Sequence, residues 1–456
     1  MATILGANTL SSGYDIGNSL MFNDNDSAYL SKTLGSNGNQ KTFTWSAWIK
    51  RGNIGTSQFL FDVHANASHH SHFYISSGNV PAVYTANGNY SFSTKNRLAD
   101  PAAWYHLVFR IDTTDGTNSN RVRIYINGTE ATYDSYSTIS QNTNFEINGN
   151  GSACSIGRRN AGDYFDGYMA EIFFCDGQSY APTVFGEYSS TSPNVWIPKN
   201  CKDDLSFGTH GYYFPFDDSS DLGDDESGTG NDFAENNIAA TDQSTDTPTN
   251  NFATFNGRVK GSTSPTFLQG NIQVDAGGNW GHAVGTIGLA SGKWYWEIDN
   301  ITASSNVFFG ICNEFNVGHL DNDSTPYSEA GLILYFQDGR RTVDGTSSEG
   351  EYNAYGTTMA CALDLDSGTK TIKFFRDNSE EGSVNLTANF PDGEFVFPIF
   401  MGSASSNACG VDFNFGGTIS TALASAESDA NGYGSFEFAP PSGYYAICAK
   451  NIADYG

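Results

Sequence analysis

Carboxylates crowd into one stretch of the chain. Between Gly211 and Asn256 lie Asp217, Asp218, Asp221, Asp224, Asp225, Glu226, Asp232, Glu235, Asp242 and Asp246, with no Lys or Arg among them. Hard oxygen donors on glycine-rich turns suit a divalent cation, so this is the first place to expect one. The other reading is a solvated acidic loop, the usual fate of a single charge run. It is no EF-hand, because D-x-D-x-D-G with a Glu at the twelfth position is absent. A second cluster, His64, His69, His70 and His72, sits in DVHANASHHSHFY. Close histidines on a turn could converge on a metal, or simply form a polar hairpin tip. A third group is Glu297-Ile298-Asp299. A glycosidase strand of the E-x-D-x-x-E type needs a second glutamate, and Thr302 stands in its place. No G-x-S-x-G, H-E-x-x-H or phosphate-binding loop occurs. The reading is of a protein that is not an enzyme, with a glycan hydrolase as the lesser alternative.

The composition narrows the partners. Fifty acids against 22 bases give a net charge of −28. Such a surface repels nucleic acid and anionic bilayers. The first residues lack a basic segment followed by an apolar core, and no apolar run approaches the roughly 20 residues of a membrane helix. The expectation is synthesis in a cytoplasm and no membrane insertion. The seven cysteines are widely spaced and form no C-x-x-C, so buried thiols are expected rather than zinc ligands or disulfides.

The elements that must position these groups read as strands. In Phe43–Arg51, Phe43, Trp45, Ala47 and Ile49 share one face, with Thr44, Ser46, Trp48 and Lys50 on the other, which predicts a half-buried strand. Further strands are expected at 58–64, 72–77, 103–112, 121–128, 153–159 and 166–175. In the second half, Trp294, Trp296 and Ile298 alternate with Tyr295, Glu297 and Asp299, and Asp366-Ser367-Gly368 turns a hairpin. Ala422–Ala430 is the one plausible short helix, and the ending reads as an extended strip. The fold class expected is all-β: two antiparallel β-sandwich domains, jelly-roll or concanavalin-like, joined by an acidic linker. The expected boundaries are an N-terminal arm at 1–18, a first sandwich at 19–210, an acidic junction and linker at 211–260, and a second sandwich with a C-terminal strip at 261–456.

The pieces MFNDNDSAYL, FTWSAWIKR, AWYHLVFRID, VRIYINGTE and YFDGYMAEIFFCDGQ resemble, in order, the laminin-G/pentraxin group of concanavalin-like sandwiches. That resemblance implies a binding fold for carbohydrate or protein. The run from Phe214 and Phe216 into Asp225–Asn231 also resembles a laminin-G loop that helps hold calcium in relatives. It implies Asp225, Ser227, Asn231 and Asp232 as calcium ligands. Gly292–Glu297, Phe309–Ile311, Ala362–Asp366, Ile372–Arg376, Phe397-Pro398 and Asn414–Gly416 resemble a SPRY domain, a sandwich that binds peptides or proteins through its loops.

The whole layout resembles structural proteins of tailed phages of marine bacteria. This implies a tail fibre, tip or capsid-surface protein, made in the bacterial cytoplasm and carried on the virion surface. Its partners would be other virion proteins and host cell-surface polysaccharide, in a symmetric homo-oligomer with a trimer favoured. The alternative is a purely architectural decoration protein. For adhesion, Tyr84, Tyr90, Trp104 and Tyr164 are the aromatics expected near turns, where they would stack on sugars.

Overall fold

The computed structural model describes residues 13–160, 162–260, 265–276, 280–303, 306–317, 329–348, 352–386, 390–403 and 409–456. The chain divides into two units at Thr249/Asn250, each with its own aromatic core. Both are built on two large sheets, as the alternating patterns predict, antiparallel apart from the parallel pairing of Tyr445–Ala446 with Lys293–Ala303.

In the first unit, one sheet runs in the order Thr129–Glu130, Val122–Ile126, Trp104–Asp112, Thr42–Arg51, Gly167–Asp176, Ser19–Phe22 and Gln243–Ser244, with Tyr212–Phe214 also paired to Gly167–Asp176. The other runs Tyr133–Tyr136, Tyr90–Thr94, Pro81–Thr85, His69–Ile75, Gln58–Asn66, Ala153–Ile156, Tyr29–Thr33 and Ala234–Asn236. Trp45, Phe61, Phe73, Phe109 and Phe174 fill the space between them, with Phe73 and Phe109 stacked at 4.5 Å.

Thr42–Arg51 corrects one expectation, because it is buried on both faces. Phe43, Trp45, Ala47 and Ile49 enter the core as predicted. The opposite face is roofed by later chain. Thr44 Oγ1 donates to the Gln178 carbonyl at 2.8 Å, and Trp48 packs on His106 at 4.9 Å. Trp196 Nε1 donates to His106 Nδ1 at 3.0 Å. Lys50 Nζ lies 2.6 Å from Asp246 Oδ2, both fully buried, and Trp104 Nε1 donates to Asp246 Oδ1 at 3.0 Å.

Most of the stretch expected as junction and linker at 211–260 is folded into this unit, up to Thr249, and the rest belongs to the second unit. Tyr212–Phe214, Ala234–Asn236 and Gln243–Ser244 pair with strands of both sheets. The physical reason is their apolar neighbours: Tyr212, Phe214, Phe216, Leu222 and Phe233 all enter the core, which outweighs the exposed acids between them. Of the expected arm, residues 1–12 lie outside the described residues. Tyr14 and Ile16 are docked. The Ile16 N–H donates to Thr249 Oγ1 at 3.0 Å, so the first and last described segments of the unit meet.

The second unit pairs Phe255–Lys260, Gly281–Gly285, Val396–Ser403, Asn306–Asn313, Leu332–Phe336, Arg341–Val343 and Thr346–Ser348 in one sheet. The other orders Thr266–Leu268, Gln273–Asp275, Cys409–Asn414, Lys293–Ala303, Met359–Asp364, Thr371–Arg376 and Ser379–Asn385. Trp294, Trp296 and Ile298 lie in the core, and Met359–Asp364 pairs with Thr371–Arg376 as the expected hairpin. Two expectations fail at the C-terminus. Ala422–Ala430 is not helical, and Glu427 instead bridges Phe436. Ala449–Tyr455 forms a short helix where a wholly extended strip was expected. Asp429 organises this region by accepting from the Tyr433, Ala446 and Asn431 N–H groups and from Asn451 Nδ2.

Candidate functional site

Alternation builds a platform on the outer face of one sheet. In His69–Ile75, Phe73 and Ile75 point into the core, which leaves His70, His72 and Tyr74 on the opposite face. The neighbouring strand Gln58–Asn66 has a register irregularity between Phe59 and Phe61, and Leu60 and Phe61 both enter the core. That bulge places Phe59 on the outer face together with Asp62 and His64. Tyr84, opposite His72 in the next strand, joins them.

The six rings are close and nearly parallel in pairs: Phe59 and Tyr74 at 5.1 Å, His64 and His70 at 5.3 Å, and His72 and Tyr84 at 5.2 Å. His70 and His72 are 5.7 Å apart. They line a groove of about 600 Å³ rimmed by Arg159, Asn160 and Asp163. The Arg159 guanidinium lies 5.2 Å from the Phe59 ring centre and 3.4 Å from Asp163. Asp62 anchors the floor. Its Oδ2 accepts from the Asn160 N–H at 3.0 Å, and its Oδ1 faces His72 Nδ1 at 3.5 Å. Burial holds the His72 pKa below the ordinary histidine range, against the pull of Asp62.

Flat π faces beside an Arg, an Asn and an Asp form a chemistry that stacks on sugar C–H faces and hydrogen-bonds sugar hydroxyls. The histidines belong to this platform. Stacked imidazoles present faces rather than converging lone pairs, which is the wrong arrangement for a shared metal. His69 is turned aside, its Nδ1 3.2 Å from Asn66 Oδ1. Of the four aromatics expected to meet sugars, only Tyr84 lines this groove. Tyr90 contacts Ser140, Tyr164 packs near Tyr29 at 6.2 Å, and Trp104 is buried over Asp246. Phe59, Tyr74 and Arg159 were not singled out from the sequence. The alternation His70-x-His72-x-Tyr74 carried the signal for one strand, and the bulge at Phe59 hid it in the other.

Asp225, Ser227, Asn231 and Asp232 do come together, but as a self-satisfied loop. The Asp225 carboxylate accepts from the N–H groups of Tyr213, Ser227 and Asn231 at 2.9, 2.9 and 2.8 Å. It also accepts from Ser227 Oγ and Thr229 Oγ1, at 2.9 and 2.8 Å. Burial alone would raise its pKa; these donors outweigh that and hold it below the usual carboxylate range. Asn231 turns its amide nitrogen to the carbonyls of Thr209 and Gly211, and Asp232 Oδ1 takes the Asp225 N–H at 3.2 Å. As arranged, the four do not present a calcium cage. Among the described residues, no group of three or more His, Cys, Asp or Glu side chains is placed to hold a metal ion.

Glu297 is equally committed. It is fully buried and accepts from the Glu437 and Phe438 N–H groups at 2.8 and 2.9 Å and from the Tyr295 hydroxyl at 2.9 Å. It thereby pins the C-terminal strip to its strand. Burial raises its pKa to about 7. Asp299, further along the strand, lines a separate cavity of about 710 Å³ with Asp412 and Glu437.

With the geometry in place, the first unit is a β-sandwich of two large antiparallel sheets. Its residues 22–178 match the family model Laminin_G_3, described as the concanavalin A-like lectin/glucanases superfamily. Among solved structures, the chain is similar to a native heptameric SAP-like pentraxin from Limulus polyphemus, at 15% identity and TM-score 0.29, covering 37% of this chain and 80% of that one. It is also similar to the SPRY domain of human HERC1, at 16% identity and TM-score 0.29, covering 37% of this chain and 99% of that one. A candidate carbohydrate binding protein from Bacteroides ovatus is similar at 16% identity and TM-score 0.35, covering 49% of this chain and 59% of that one. No curated protein matches the sequence.

Proposed function

We propose that this chain is a glycan-binding protein whose first sandwich holds the sugar against His64, His70, Tyr74 and Tyr84, the half-buried rings of the platform, with Phe59 and His72 buried among them. The observation that carries this reading is a cluster of six rings, four of them half-buried, along a polar-rimmed groove on the outer face of the sheet. An aromatic cluster of that extent on one sheet face is more than scattered surface residues require. The superfamily match over residues 22–178 supports the same reading, since its description names lectins and glucanases. The commitment of Glu297 to backbone donors supports binding without hydrolysis.

The layout's resemblance to tailed-phage structural proteins supports a setting on a virion surface, with host polysaccharide as ligand and virion proteins as neighbours. The test is a glycan array followed by titration of the best ligand. Tyr84→Ala and Tyr74→Ala should each weaken binding by roughly tenfold to a hundredfold, as for buried aromatic anchors elsewhere. Binding that survives both substitutions unchanged removes the groove from the reading.

A further inference from the structure

The groove is an unusual place on this molecule. The chain carries −28 overall, yet the groove floor holds three imidazoles and its rim a guanidinium. The charged and titratable groups facing it can be named strand by strand. Gln58–Asn66 contributes Asp62 and His64, and His69–Ile75 contributes His70, His72 and Tyr74. Pro81–Thr85 contributes Tyr84, and the segment from Arg158 to Asp163 contributes Arg159 and Asp163. With the imidazoles neutral, Arg159 is outnumbered by Asp62 and Asp163. With His64 and His70 protonated, the balance turns positive.

Histidine is the side chain that ordinarily changes charge between about pH 5 and 8. At His70 the geometry says what protonation alters. Its Nδ1 sits 3.4 Å from the Asn66 carbonyl, an acceptor, so the neutral ring's hydrogen belongs there and Nε2 is left as an acceptor. A second proton converts Nε2 to a charged donor and keeps the Nδ1 contact. His64, stacked on it at 5.3 Å, faces the same groove.

Resting on the glycan reading above, we infer that the groove selects an acidic sugar, one bearing a carboxylate or sulfate, and binds it more tightly as His64 and His70 become charged. The anion is held by imidazolium N–H groups and Arg159 while the sugar ring stacks on Tyr74 or Tyr84.

The test uses the full chain on an array of neutral, uronate-bearing and sulfated glycans, probed at about pH 5.5 and about pH 7.5. Acidic glycans should be preferred, and their affinity should rise about tenfold toward the lower pH, or about 1.4 kcal/mol. Global loss of negative charge on acidification would also favour polyanions, so a variant separates the two. His64→Gln with His70→Gln keeps polar side chains that cannot take up a proton; as members of the platform their loss should weaken binding at both pH values, and the rise toward the lower pH should disappear. A rise that persists in the variant overturns the inference, as does a preference for neutral glycans in the wild type. Binding of no glycan at either pH overturns the reading on which the inference rests. Circular dichroism of the variant guards against simple unfolding.

Discussion

At the scale of single residues, two acids that the sequence offered for chemistry, Asp225 and Glu297, are structural. Asp225 gathers four donors from its own loop and the Tyr213 N–H from the strand before it, and Glu297 gathers backbone N–H groups from a strip some 140 positions away in sequence. Removing such an acceptor strands buried donors, each at a cost of about 1–3 kcal/mol. Asp225→Ala should therefore lower the stability of the first unit by about 3 kcal/mol in a denaturant titration. Calcium should not raise the Tm of the wild type, because those oxygens are already engaged; a calcium-dependent rise lost in Asp225→Ala would show the loop to be a cation site after all.

Glu297 gives a second, pH-dependent expectation. Its folded pKa of about 7 lies above the ordinary glutamate value of 4.5. Between those values the folded state holds a proton that the unfolded chain has released. Stability is therefore fully present below that window and is lost as pH rises through it. Subtracting the Tm-versus-pH profile of Glu297→Gln from that of the wild type should leave a downward slope across the window. Glu171, raised to about 7 by burial and bonded to Tyr14 and Tyr213, should behave alike in the first unit.

At the scale of elements, the strand His69–Ile75 serves two surfaces at once. Its inward Phe73 stacks on Phe109 and its outward His70, His72 and Tyr74 build the groove. The two roles separate by substitution. Phe73→Ala should cost about 3–5 kcal/mol of stability, whereas Tyr74→Ala should change stability by less than about 1 kcal/mol while weakening glycan binding. Equal loss of stability in both would mean that Tyr74 is a packing residue.

This division also marks what the sequence made legible. Period-two alternation located Thr42–Arg51 and the Trp294–Ile298 face, because each places large apolar groups on alternate positions. It failed where tertiary contacts decide. The second burial of Thr42–Arg51 comes from Gln178, Trp196 and Asp246, all more than a hundred positions downstream. The three short strands between residues 212 and 244 are set by pairing, and their acids masked the few aromatics that enter the core. For the groove, the histidines were visible as a cluster, but only the register of three strands shows that they stack with Phe59, Tyr74 and Tyr84.

At the scale of the whole molecule, two cores lie on either side of Thr249/Asn250. Calorimetry should resolve two transitions, with Phe73→Ala lowering one and Trp296→Ala the other; a single transition lowered by both would contradict this. The charge of −28 opposes compaction through self-repulsion, so moderate salt should raise both transitions.

The meeting of Ile16 with Thr249, reinforced by Ser19 Oγ on the Asp246 carbonyl at 2.7 Å, has a bearing beyond stability. The chain leaves and returns to nearly the same point after building the entire first sandwich. A module closed in this way can be gained, lost or exchanged as a cassette by recombination, leaving the flanking chain in register. On the glycan-binding reading proposed above, a lineage facing a changed sugar could then exchange the whole module in one step, rather than remodel a groove residue by residue.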